Sequence, residues 1–169
     1  MQRDFVIVDE IIIHCSDTQD GEDRWTIWDI DDWHRQRGFA RDPAMVRVHQ
    51  PSLPHVGYHR VYSVGGATWE GRDLSEAGAH ATGHNRRSVG LCLIGRTTFT
   101  LEQWHSLRLD VEELLRRRPG RRVLGHRDVE THKTCPGFDV AAWLDGGMQP
   151  LEGHVITPSL EAPCAPASR

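Results

Sequence analysis

Two apolar runs constrain the fold most strongly. Residues 5–15 read FVIVDEIIIHC, and residues 88–95 read SVGLCLIG. Both runs are short and rich in β-branched and aliphatic side chains, which predicts two buried β-strands. His14 stands at the carboxyl end of the first predicted strand, where a rigid scaffold would hold a functional side chain in place.

Helix and strand patterns alternate along the rest of the chain, which predicts an α/β fold. The clearest helix begins with a capping pattern, Thr100-x-x-Gln103, and ends before Pro119-Gly120. Its apolar stripe repeats at helical spacing and consists of Leu101, Trp104, Leu107, Val111 and Leu114. The other predicted elements are a helix over 26–38, a hairpin of strands 57–64 and 67–70, a strand over 122–125 and a short helix over 139–144.

Two segments lack such patterns. Residues 40–56 contain three prolines and no periodicity, which predicts a long loop. Residues 148–169 are rich in Pro, Ala, Ser and Glu, which predicts a disordered tail. The chain of 169 residues suits one domain with its own core, and we expect that domain to span residues 1–147.

Charge and hydropathy exclude several classes of protein. The net charge of -4 argues against a nucleic-acid partner, and the arginines at 116–118 are typical of a solvated helix end. No apolar run reaches the roughly 18 residues that a membrane span requires. Acidic residues interrupt the apolar stretch near the N-terminus, so we predict no signal peptide and expect synthesis in the cytoplasm.

The four cysteines do not resemble a disulfide framework. Cys15 and Cys92 lie in apolar runs and are typical of buried free thiols, whereas Cys164 lies in the predicted tail as an exposed thiol. Cys135 alone has polar neighbours. This distribution favours a reducing compartment.

The segment GHRDVETHKTCPGF, residues 125–138, places His126, Lys133 and Cys135 close together in sequence. One imidazole and one thiolate suggest a metal, but a stable site needs further ligands. If the strands that end near His14 and His126 are neighbours, both imidazoles point into one crevice and Cys135 completes the set. Two histidines, one cysteine and an open fourth position are typical of a catalytic zinc site.

Four motifs occur in order: IIIHCSDT, VGYHRVYSVGG, GAHATGHNRRSVGLCLIG and GHRDVETHKTCPGFDV. Together they resemble the zinc-dependent N-acetylmuramoyl-L-alanine amidases of the phage-lysozyme and peptidoglycan recognition protein family, over roughly residues 6–145. The resemblance implies a mixed central sheet flanked by helices, with zinc in a surface groove. It also implies cleavage of the amide between N-acetylmuramic acid and the L-alanine of the stem peptide. By motif, His14, His126 and Cys135 match the zinc ligands, and Tyr58 and Lys133 match the catalytic pair.

The chemistry of amide hydrolysis requires side chains of these kinds. Zinc lowers the pKa of a bound water and polarises the scissile carbonyl, and an ammonium such as that of Lys133 can stabilise the resulting oxyanion. Tyr58 could hydrogen-bond the water or the tetrahedral intermediate. The alternatives are an ordinary exposed lysine and a half-buried strand tyrosine. Asp128 is either a hydrogen-bond partner of a ligand imidazole or a surface residue in a turn.

Further residues concern the substrate. The resemblance places His80 and His84 beside the groove, and we expect His80 to contact substrate rather than metal. Residues 40–56 are longer than the usual link in this family, so an insertion could reshape one wall of the groove. The partner expected is peptidoglycan, bound by a monomer that acts on the cell wall after release from the host, as a phage endolysin does. The alternatives are a cytosolic amidase that recycles soluble anhydro-muropeptides and a recognition module without catalysis, although such modules typically lack the cysteine ligand.

Overall fold

The computed structural model describes residues 8–156, which form a five-stranded sheet flanked by helices. The elements are β1 Glu10–Cys15, α1 Ile27–Gln36, α2 Pro43–Val48, β2 Arg60–Tyr62, β3 Thr68–Glu70, β4 Ser88–Leu93, α3 Leu101–Arg117, β5 Arg122–Gly125, α4 His126–Val129 and α5 Val140–Asp145. The strand order is β3-β2-β4-β1-β5. Only β2 and β3 pair antiparallel, so the sheet is mixed and the predicted α/β class is confirmed.

Strand β1 lies between β4 and β5 and runs parallel to both. Its register pairs Ile13 with Leu91 on one side and with Gly125 on the other. A strand with neighbours on both edges and cover on both faces is expected to be largely apolar, which explains the isoleucine run at its centre. Because parallel strands end at the same edge, His14 in β1 and His126 after β5 meet there.

Helix α3 packs along one face of the sheet. Thr100 caps it, since its hydroxyl accepts from the Gln103 amide at 3.1 Å and the Gln103 side chain accepts from the Thr100 amide at 3.1 Å. The predicted stripe is wrong at Leu101, which is 58% exposed. Gln103 is buried in its place because its side-chain amide donates to the Ile94 carbonyl at 2.8 Å.

Residues 40–56 contain a helix that the sequence analysis assigned to a loop. Helix α2 has only six residues, none of them buried, so it has no apolar stripe to reveal it. Asp42 caps it by accepting from the Ala44 amide at 2.8 Å. Buried Arg41 anchors the segment from inside, donating to three of its carbonyls, those of His49, Gln50 and Leu53.

The chain after α5 folds back onto α3. Val155 pairs with Phe99, and the Trp104 indole donates to the His154 carbonyl at 3.1 Å. Residues 148–156 of the predicted tail are therefore bonded to the domain, whereas 157–169, with Cys164, lie outside the described residues, as do residues 5–7 of the predicted first strand. Among residues 8–156, no helix has the length and apolarity needed to cross a membrane.

Candidate metal centre and active-site groove

The sheet edge brings His14, His126 and Cys135 together. Each offers one ligand atom, and these three atoms lie within 4.8 Å of one another. The Cys135 sulfur is 3.8 Å from Nδ1 of His14, which therefore faces the cluster. His14 is fully buried, while the other two are partly exposed. The cluster predicted from the sequence is present at the predicted edge.

Local hydrogen bonds position His126 and Cys135, the two candidate ligands that follow β5. The Arg127 amide donates to the Cys135 carbonyl at 2.8 Å, which fixes the loop after α4. Asp128 accepts from the Gly125 amide at 2.7 Å and so caps the turn that begins at His126. Asp128 is exposed, and its carboxylate bonds the backbone of this turn, so the structure supports the alternative of a surface residue in a turn rather than a partner of a ligand imidazole.

Burial sets the protonation of the candidate ligands. Desolvation holds the pKa of His14 well below its usual value, and neighbouring His80 and His126 lower it further. Desolvation also lowers the pKa of His126, against the opposing effect of Glu130. Both imidazoles are therefore neutral at pH 7 and keep a lone pair for a metal.

The donor set fits zinc. Two imidazoles and one thiol are ligands that zinc accepts, and three protein ligands leave a position for water or substrate. The Cys15 amide donates to the Cys135 sulfur at 3.2 Å, a contact that stabilises a thiolate. Contact with Cys15 and burial raise the pKa of the Cys135 thiol, so a cation is needed to displace its proton.

Glu130 is a site residue that the sequence analysis missed. Its Oε1 lies 3.2 Å from Nε2 of His126 and accepts from the Thr82 amide at 3.0 Å. Within residues 8–156, the buried Nε2 of His126 makes no well-aligned hydrogen bond, and Glu130 is the carboxylate close enough to accept its proton. The available signal was the spacing of four between His126 and Glu130 in a helical turn.

Two cavities flank the cluster and together form an open groove. The smaller has a volume of about 290 Å³ and the larger about 550 Å³. Four residues line both: Arg37, Tyr58, His126 and Lys133. Arg37 was not predicted, because an arginine at a helix C-terminus is usually explained by the helix dipole.

Tyr58 and Lys133 both line the groove beside the cluster. The Tyr58 ring lies 5.0 Å from the His14 ring, centroid to centroid. Burial raises the pKa of Tyr58 well above its usual value, so the phenol keeps its proton and can donate. Tyr58 precedes the observed β2, so the predicted strand over 57–64 is too long at its start. Lys133 is exposed, and its backbone amide donates to the Glu130 carbonyl at 2.9 Å.

The histidines of the GAHATGHN segment diverge. His80 lines the smaller cavity, and its Nδ1 lies 3.0 Å from Nε2 of His14. His84 instead contacts Glu10 at 2.7 Å, at the opposite end of β1 from the cluster. Of these two histidines, His80 is therefore the one placed to act at the site.

An α/β sheet that gathers two imidazoles and a thiol at its edge, beside an open groove, is the arrangement of a metal-dependent hydrolase. The chain belongs to the N-acetylmuramoyl-L-alanine amidase family, whose model matches residues 4–138. The resemblance carried by the four motifs is thus confirmed.

Curated relatives and solved structures agree with this assignment. The endolysin of Escherichia phage T7 is 32% identical over 145 residues, which is 81% of this chain and 85% of the endolysin. The endolysin of Klebsiella phage KP32 is 32% identical over 144 residues, 80% of this chain and 85% of that protein. The endolysin amidase LysCS from Clostridium intestinale shares the fold, with a TM-score of 0.67, 23% identity and coverage of 84% of each chain.

Proposed function

We propose that this protein is an endolysin-type amidase, which hydrolyses the amide between N-acetylmuramic acid and the L-alanine of the stem peptide in peptidoglycan. The observation that carries this proposal is the joint position of the His14–His126–Cys135 cluster, Tyr58 and Lys133 in one open groove. Family membership supplies the class of bond. The T7 and KP32 relatives, matched over most of their length, favour the endolysin role.

We assign zinc to His14, His126 and Cys135. When bound there, zinc would supply an activated water and polarise the scissile carbonyl. The three side chains bind and orient the ion. Both imidazoles are neutral and could bind the ion directly, whereas the Cys135 thiol would release its proton to solvent as the ion binds. The Cys15 amide would then stabilise the thiolate.

Lys133 is assigned to the developing negative charge on the carbonyl oxygen. It is two residues from Cys135 and lines both cavities, so its ammonium can reach a substrate that spans them. A cation beside the scissile carbonyl stabilises an oxyanion more strongly than the neutral carbonyl that precedes it. Its contribution is therefore expected in the transition state.

Tyr58 is assigned to orientation of the attacking water or the tetrahedral intermediate. Its phenol is protonated at neutral pH, so it donates a hydrogen bond and cannot serve as a base. His80 lines the smaller cavity, and we propose that its ring carbons also contact the bound substrate.

The two alternatives differ from this proposal in testable ways. A recognition module would not need Cys135 beside two histidines, so the complete cluster favours an enzyme. A recycling amidase would use the same cluster on soluble anhydro-muropeptides. We favour the wall itself as substrate, attacked by a monomer after release from the cell that made it, because the phage relatives are named endolysins.

The test compares two substrates under one assay. Purified protein is incubated with intact sacculi and with soluble anhydro-muropeptides, and the new amino termini are labelled and identified. We expect free L-alanine amino groups to be released faster from sacculi, and Cys135→Ser to abolish the release. Preference for the soluble fragment would support the recycling role, and release of any other terminus would overturn the bond assignment.

A further inference from the structure

A chain of polar contacts leads from the cluster into the protein. Nε2 of His14 lies 3.0 Å from Nδ1 of His80. On the other side of that ring, Nε2 of His80 lies 3.4 Å from the Ser88 hydroxyl, which donates to the His84 carbonyl at 2.8 Å. The contacts join the carboxyl end of β1 to the first residue of β4 through the segment between them.

The donor and acceptor of each hydrogen bond in this series follow from the His84 carbonyl at its far end. A carbonyl only accepts, so the Ser88 proton points to His84 and the Ser88 oxygen is left to accept from His80. His80 then carries its proton on Nε2, and its Nδ1 is an acceptor. His14 must donate to that acceptor from its own Nε2, which leaves Nδ1 of His14 without a proton. That nitrogen is the one that faces Cys135.

Two glycines shape the space that holds the His80 ring. A Cβ on Gly90 would lie 2.5 Å from Cδ2 of His80, and one on Gly78 would lie 2.4 Å from the same atom. Both distances are far below a van der Waals contact, so any larger residue would displace the ring. The absence of these two side chains lets His80 lie against the backbone at hydrogen-bond distance from His14.

We propose that His80 and Ser88 are positioning residues, which fix His14 in the tautomer and ring orientation that present Nδ1 to zinc. This inference rests on the zinc site of the proposed function. Histidine ligands of metals commonly donate their second N–H to a partner, and loss of that partner typically weakens metal binding 10- to 100-fold. Here the partner is another imidazole, whose own orientation depends on Ser88.

The first test measures zinc affinity directly, by competition with a chromogenic chelator at pH 7.5. We expect His80→Ala to bind zinc about 10- to 100-fold more weakly than the wild type. His80→Asn should recover part of the loss, because its amide oxygen can accept near the position of Nδ1. Ser88→Ala should cause a smaller loss, since its contact with His80 is long. The matched control is His105→Ala, which removes an exposed imidazole from α3 and should leave zinc affinity unchanged.

The second test needs no variant. Long-range nitrogen–proton NMR spectra of the zinc-loaded wild type should show both His14 and His80 protonated on Nε2. A proton on Nδ1 of His80 would overturn the proposal, because that atom could not then accept from His14. Unchanged zinc affinity in a folded His80→Ala would overturn it as well. If the wild type itself binds no zinc, the proposed metal site fails instead, so the two failures are distinguishable.

Discussion

Glu76 is the buried carboxylate on which the 40–56 segment depends. It is 1% exposed, and two arginines that are themselves 4% and 5% exposed, Arg41 and Arg72, contact it at 2.9 and 3.2 Å. Burial lowers the pKa of Arg72 to about 10, while the Glu76 charge opposes the shift. Arg72 also donates to the Val56 carbonyl at 2.7 Å, two residues before Tyr58.

Glu76→Gln would keep the shape of the side chain and remove its charge. Two buried guanidinium groups would then lack a counter-ion, and breaking a buried pair in this way typically costs about 3–5 kcal/mol. That loss is a large fraction of the total stability of a domain, which is about 5–15 kcal/mol. We therefore expect a much lower urea midpoint, and weaker lytic activity because the backbone before Tyr58 loses its anchor.

The matched control is Glu112→Gln, which breaks a half-exposed pair with Arg108 on α3. An exposed pair of this spacing contributes only about 0.5 kcal/mol, so its urea midpoint should barely move. Both variants are unfolded in urea at pH 7 and followed by circular dichroism. A Glu76→Gln variant no less stable than Glu112→Gln would refute the assignment of Glu76 as the anchor.

Three further predictions concern the site and its support. Lys133→Ala should lower kcat by about 100-fold with little change in KM or zinc content, as expected for loss of one oxyanion donor, whereas wild-type lysis would remove Lys133 from the mechanism. Cys135→Ser should lose zinc and Cys15→Ser should keep it, as metal analysis would show; the reverse result would reassign the ligand. Burial opposes ionisation of Asp20, but hydrogen bonds from residues 96–98 outweigh it and lower its pKa below 3.8. Asp20 therefore stabilises the folded protein at pH values above 3.8, and this stabilisation is lost as the pH falls through its lowered pKa in the folded state. Asp20→Asn should be destabilising at pH 7 and progressively less so in acid.

The sequence could predict elements whose signal is local. The isoleucine run of β1 and the Thr100 cap of α3 each carry their own pattern, and the ligand cluster follows once the strands before His14 and His126 are neighbours. Helix α2 and residues 148–156 could not be predicted in the same way. Helix α2 has a local cap at Asp42 but is too short for a periodic pattern, and its segment is held by buried Arg41. Residues 148–156 are held by contacts with α3, which are tertiary effects.

The same distinction applies to the site. The three candidate ligands could be predicted because histidine and cysteine are side chains that zinc prefers, and because the motifs that contain them resemble those of the amidase family. Glu130, Arg37 and the contact between His80 and His14 could not, because charged and polar residues are common on any surface. The folded backbone brings these side chains to the cluster, and the small size of Gly78 and Gly90 leaves space for the His80 ring.

We expect amide hydrolysis to depend on one zinc ion at this cluster. The most direct measurement removes metal from the purified protein with a chelator, verifies the removal by elemental analysis and then adds zinc in steps. We expect no release of L-alanine amino termini from sacculi without metal, and a recovery of activity that rises with added zinc and levels off at about one equivalent. Full activity in the verified metal-free protein would contradict this dependence on zinc.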